Sequence, residues 1–145
     1  MSPGLSAVIL FRVQDFLYKS KLIAPAYLIH RVNLSLHGID ILPGADIGDG
    51  LRIDHPVGIV IGAGAKIGSG CVILQNTTIG TRYMNSNTYN NEFPVIGNNV
   101  TIGAGAVILG GVNLGDDCTV GANSVILDDV PVRSTVFGVH NKGLK

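Results

Sequence analysis

His55 is the residue with the clearest capacity for chemistry in a chain poor in ionisable groups. It stands in Asp54-His55-Pro56-Val57-Gly58, with one aspartate beside it and another, Asp40, upstream. An imidazole near neutral pKa is suited to take a proton from a hydroxyl and return it to a leaving group. Adjacent residues of an extended chain point opposite ways, so Asp54 is badly placed to hold the His55 ring. A carboxylate from another segment, such as Asp40, would fix its tautomer and stabilise the imidazolium.

Other reactive groups are few. The histidines are His30, His37, His55 and His140, and only His55 lies within the repeat described next. A three-histidine zinc site is therefore not expected, and no metal is assigned. Cys71 and Cys118 have neither a metal spacing nor a disulfide framework, which points to a reducing compartment. Both fall at small inward positions of the repeat and read as packing groups rather than acyl carriers.

The element that must position His55 is a repeat with a six-residue period. Aliphatic residues fall at Ile41, Ile47 and Ile53, resume at Ile61, Ile67, Ile73 and Ile79, and run again at Ile96, Ile102, Ile108, Leu114, Val120, Ile126 and Val132. Glycine often follows directly. A smaller residue (Ala45, Cys71, Thr77, Val100, Ala106, Val112, Cys118, Ser124, Val130) often stands two places earlier. Positions i−2 and i share one face of a strand. Each unit thus reads as a short strand with two inward side chains and a turn, and it can bury that face only by stacking. A period of six does not match a helix.

The period breaks twice. Ile53 to Ile61 is eight residues, and the extra two fall around His55. Residues 80–95, polar and rich in asparagine, read as an excursion loop suited to hold a substrate. Upstream, Leu10-Val13-Phe16-Leu17 predicts a short amphipathic helix. A second is expected from about Pro25 to Ser35, ended by Gly38. The expected organisation is a helical segment over 1–38, the repeat over 39–137 and a tail over 138–145.

The repeat resembles that of hexapeptide-repeat acyltransferases, from roughly Asp40 to His140. That resemblance implies an all-β solenoid, a left-handed parallel β-helix with three hexapeptides per coil. Handedness comes from the resemblance alone, since the general crossover preference is right-handed. Asp40-Ile41, followed by Asp54-His55-Pro56-Val57-Gly58-Ile59-Val60-Ile61-Gly62, is similar to the active-site region of serine acetyltransferases. The likeness implies His55 as general base, Asp40 as its orienting group and Asp54 as a substrate contact. It implies acetyl-CoA as co-substrate, bound between subunits of a homotrimer along small residues, here Gly80, Ala104, Gly105, Gly121 and Ala122. Arg82, Tyr83, Glu92 and Phe93 in the excursion are the further substrate-binding candidates.

One departure and one further resemblance bear on the acceptor. Serine acetyltransferases carry Arg-His-Pro before the coil resumes, and here Glu92-Phe93-Pro94 stands there. A glutamate there would repel a serine carboxylate. The segment Phe11-Arg12-Val13-Gln14-Asp15-Phe16-Leu17-Tyr18 resembles the start of short serine-acetyltransferase-like proteins of capsule, exopolysaccharide and O-antigen pathways. The acceptor expected first is therefore a sugar hydroxyl, with serine as the alternative. A non-catalytic trimeric scaffold is a remote third reading, disfavoured by the intact Asp40 and His55.

Composition agrees with a packed assembly. Only 14% of residues are charged, 46% are hydrophobic and 20 are glycine. Net charge is zero, which leaves no basic excess for nucleic acid. No signal peptide or membrane span is expected, and a cytoplasmic location follows. Arg12, Lys19, Lys21 and Arg31 make the helical segment basic. It is expected to cap the open end of the β-helix and pack in the trimer, with peripheral membrane contact as the second possibility.

Overall fold

A computed structural model describes residues 2–82 and 92–141. Two helices come first, α1 (Pro3–Lys19) and α2 (Ile23–His37). Ser2 caps α1 by accepting from Leu5 N–H, and Pro3 opens its first turn. Gly38 ends α2 at φ 67°, with its N–H on Leu34 O. The second helix thus exceeds the expected span at both ends, because Pro25 fits anywhere in a first turn and nothing breaks the helix before Gly38.

Then the chain coils. The first coil is β1 (Ile39–Ile41), β2 (Asp46–Ile47) and β3 (Arg52–Asp54). The second is β4 (Ile59–Ile61), β5 (Lys66–Ile67) and β6 (Val72–Leu74). The third is β7 (Thr78–Gly80), β8 (Val95–Ile96) and β9 (Thr101–Ile102), and the fourth is β10 (Val107–Leu109), β11 (Asn113–Leu114) and β12 (Thr119–Val120). A last, partial winding holds β13 (Val125–Ile126), β14 (Thr135–Val136) and β15 (Val139–His140).

Each strand pairs in parallel with its counterpart one coil away, giving three sheets. Sheet A is β1-β4-β7-β10-β13-β15, sheet B is β2-β5-β8-β11, and sheet C is β3-β6-β9-β12-β14. The inward column of sheet A runs through Ile41, Ile61, Ile79, Ile108 and Ile126 in register, each at most 1% exposed. Ala45, Ala65, Ala106 and Cys118 fill the narrower corners and are buried. At the corner between sheets B and C, Gly50, Gly70, Asn99, Asp117 and Arg133 take positive φ, the conformation that closes the turn.

The repeat departs from expectation at its end. Val132, predicted to point inward, is 62% exposed, and Val130 is buried in its place, bridged to Leu114. Asp128 and Asp129 carry the chain around that corner on a shorter path, so the period resets before Val136.

The helices close the first coil. Arg12 donates to Ile47 O at 2.6 Å and to Gly48 O, and Gln14 Nε2 donates to Ile41 O at 2.8 Å. These carbonyls have no coil beneath them. The buried line of α1 is Gly4, Ala7, Phe11 and Gln14, not the expected stripe, and Val13 and Phe16 are 43% and 69% exposed. Gly4 and Ala7 hold the first part of that line because α1 lies directly on backbone there. A Cβ on Gly4 would stand 1.9 Å from Ile53 O. Gly4→Ala is therefore expected to lower stability by about 1–3 kcal/mol through forced displacement of α1, measured by chemical denaturation with the coil's far-UV circular dichroism retained.

Candidate active site

His55 sits where β3 hands over to β4. Its backbone is at φ 60°, in the left-handed region, and its side chain is exposed. A non-glycine residue there costs roughly 1–2 kcal/mol, and such strain gathers at functional sites. The bulge folds tightly: Val57 N–H donates to His55 O at 2.7 Å and Gly58 N–H to Gly38 O at 2.8 Å. Those two N–H groups are thus engaged and are not available to an oxyanion.

This corner is one of a stack. Asn76 N–H donates to Val57 O at 2.8 Å, Gly105 N–H to Gln75 O at 2.9 Å, and Asn123 N–H to Ala104 O at 2.8 Å. Gly58, Asn76, Gly105 and Asn123 form a column at φ 67°, 57°, 70° and 56°. Ala104-Gly105 and Gly121-Ala122 therefore stand on the same edge as His55, between sheets C and A. Gly121 is covered, since a Cβ there would meet the Phe137 ring at 2.4 Å, whereas Ala122 is exposed.

The excursion leaves from a different edge, between sheets A and B. Gly80 ends β7, with nothing within 4 Å of where a Cβ would stand. Arg82 lies against Gly110, and Glu92 against Gly111. Phe93 is half-buried over Gly62 and Gly64, where a Cβ would meet its ring at 2.4 and 2.2 Å. Expected as a substrate contact, Phe93 serves at least as a packing group that seats the returning chain. Tyr83 lies outside the described residues, as do Asn85, Asn87, Tyr89, Asn90 and Asn91. Within one chain Arg82, Glu92 and Phe93 are thus not brought to His55, because the whole of sheet A separates the two edges.

Both aspartates have partners that the spacing did not predict. Asp54 pairs with Arg52 Nη2 at 3.1 Å on the outer face of β3. Asp40 lies on the outer face of sheet A, opposite Val60. Its recorded partner is His30 of α2, at 2.7 Å from Nε2 to Oδ1. Among the described residues no hydrogen bond joins Asp40 to His55. His30 was not singled out from the sequence. The available signal was the line Ala26, His30, Asn33, which marks a buried helix face carrying polar groups.

Both thiols are buried. Burial pushes Cys71 up and Cys118 up to about 11, and Cys71 Sγ donates to Gly97 O at 3.2 Å. Neither is a thiolate near neutrality. No group of three or more His, Cys, Asp or Glu among the described residues is placed to hold a metal, and no described helix is long and apolar enough to cross a membrane. A groove of about 350 Å³ on sheet B, lined by Val95, Asn113, Leu114 and Val130 among others, faces away from the His55 edge. Native protein treated with iodoacetamide at pH 8 should be alkylated far more slowly than unfolded protein, with the Cys118 rate rising as pH approaches 11.

Residues 93–128 match the family described as bacterial transferase hexapeptide (six repeats). The chain is 39% identical over 140 residues to a serine acetyltransferase of Synechococcus elongatus, covering 97% of this chain and 56% of that protein. It is 38% identical over 140 residues to a serine acetyltransferase of Helicobacter pylori strain J99, covering 97% of this chain and 80% of that one. Among solved structures, soybean serine acetyltransferase complexed with serine superposes with a TM-score of 0.86 at 38% identity, covering 94% of this chain and 55% of that one. A serine acetyltransferase in complex with CoA gives 0.86 at 33% identity, covering 95% and 55%. The chain thus spans little more than half the length of those solved structures. The coil is the left-handed parallel β-helix of these relatives, and the chain belongs to the hexapeptide-repeat acyltransferases of the serine acetyltransferase-like family.

Proposed function

We propose that the chain is an acetyl-CoA-dependent O-acetyltransferase with His55 as general base. The observation that carries this is the shared edge. His55, then Ala104-Gly105, then Gly121-Ala122 follow one another along a single corner of the coil. Rungs stack ~4.8 Å apart, so the small residues lie about 10 and 14 Å beyond His55. That is a track along which an extended thioester arm can lie, held by backbone groups where side chains are small. The complex of a relative with CoA supports the donor.

The chemistry needs one proton transferred twice. The acceptor hydroxyl gives its proton to His55 Nε2 as its oxygen attacks the thioester carbonyl carbon. The C–S bond then breaks, and the imidazolium returns the proton to the departing thiolate. Asp40 supports the imidazolium. The left-handed bulge keeps the ring out of the inward hydrophobic column.

The acceptor groups stand on the other edge of sheet A, so the site is read as one formed between copies of the chain. The outer face of sheet A supports this. Its row is Asp40, Val60, Thr78, Val107, Val125 and Val139 in register, almost free of charge. The corresponding row of sheet B begins Asp46, Lys66. An apolar face between the two half-sites fits a homotrimer with its active sites between subunits. Val125→Glu should reduce the sedimenting mass toward that of a monomer and abolish transfer, with circular dichroism unchanged. A variant that stays assembled and active would refute this placement.

L-serine is the better supported acceptor. The relatives named above are serine acetyltransferases, one of them solved with serine. This favours the alternative over the sugar expected first. One sequence feature still speaks for a sugar hydroxyl: Glu92 stands where the family pattern has an arginine, and a negative charge there would repel a bound carboxylate. Thiol release from acetyl-CoA, measured with L-serine, nucleotide sugars and oligosaccharides in parallel, should be greatest with L-serine. A clear preference for a glycan would restore the sugar reading. His55→Ala should lower kcat by roughly 10²–10⁴-fold while CoA binding persists, and sustained turnover would end the base assignment.

A further inference from the structure

We propose that Asp40 serves two histidines at once: His30, buried in α2, holds Oδ1 through its Nε2–H and thereby aims the carboxylate at His55. This makes His30 a positioning residue, and the inference rests on the reading of His55 as base and Asp40 as its orienting group.

Geometry carries the argument. The His30 side chain is 9% exposed, and its Nε2 lies 2.7 Å from Asp40 Oδ1, a short contact typical of a charge-assisted bond. An ionised carboxylate only accepts, so Nε2 carries the hydrogen. The other ring nitrogen, Nδ1, is buried with no hydrogen-bond partner. Tyr27 meets the ring edge-on, with centroids 6.2 Å apart and planes at 83°. A buried helix face that leaves a polar atom unsatisfied is worse packed than an apolar one. The imidazole is therefore explained by its bond to Asp40 rather than by filling space.

The position of Asp40 completes the case. It sits two residues after Gly38, whose carbonyl accepts the Gly58 N–H of the His55 bulge at 2.8 Å. Asp40 and the bulge are thus anchored to the same short stretch of backbone. The Asp40 side chain remains 36% exposed, so His30 does not seal the carboxylate from a second partner. His30 cannot itself be the base, because its remaining nitrogen is sealed from solvent. A carboxylate on an outer sheet face would otherwise rotate freely about its side-chain bonds, and orienting the base would cost it that freedom.

The test compares His30→Phe, which fills the space without a donor, with His30→Gln, whose amide N–H can reach the Nε2 position. His30→Phe should lower kcat about tenfold, the worth of one oriented hydrogen bond, with KM for both substrates within twofold. His30→Gln should recover most of that loss. In an Asp40→Asn background, His30→Phe should add little further loss. Melting temperatures taken alongside separate this from a folding defect. Wild-type kcat in a folded His30→Phe overturns the proposal, as does a full additional loss in the Asp40→Asn background. If His55→Ala keeps its turnover, the underlying base reading falls instead, and that outcome is distinct from either of these.

Discussion

Every backbone hydrogen bond between strands in this fold runs from one coil to the next. Among the described residues no strand pairs with its neighbour in sequence, and a single coil satisfies almost none of its own N–H and C=O groups. The stack is therefore the unit of stability, and register is fixed by in-line columns of isoleucine that a one-residue slip would turn outward. The first coil has nothing beneath it. Arg12 and Gln14 supply donors to its open carbonyls, which is why a segment rich in large apolar residues turns its small and polar line toward the coil.

The same constraint decides where chemistry is located. Inward positions must be apolar and flat faces must keep the ladder, so only corners tolerate irregular backbone. There the chain adopts positive φ, usually on glycine, asparagine or aspartate. His55 occupies such a position without the small side chain that makes it easy. Two extra residues form the bulge that leaves its side chain exposed. The small residues on the same edge are the ordinary solution to corner geometry, and they leave space beside the His55 ring.

Sheet A separates the two halves of the candidate site. One edge carries His55 and the small-residue track, and the other carries Arg82, Glu92 and Phe93. The face between them is nearly uncharged, and the chain as a whole has few charges to place elsewhere. Under the proposed reading, a second copy seated there would bring His55 and these residues together. Asp40, the one acid in the row, is the group that α2 reaches through His30.

The six-residue period by itself determined the solenoid, its inward columns and the break at His55, because each short strand obeys a local rule of alternation and turn. Gly38 likewise marked the end of α2. The period misplaced Val132, since the final corner is shortened by a path that depends on the coil below it. It also gave no account of which corners share an edge. His55, Gly105 and Ala122 are far apart in the chain and become neighbours on one edge only through stacking. The partner of Asp40 was settled the same way. His30 and Asp40 belong to different elements, and their contact exists only because α2 docks against the first coil, an outcome of tertiary packing that no local spacing encodes.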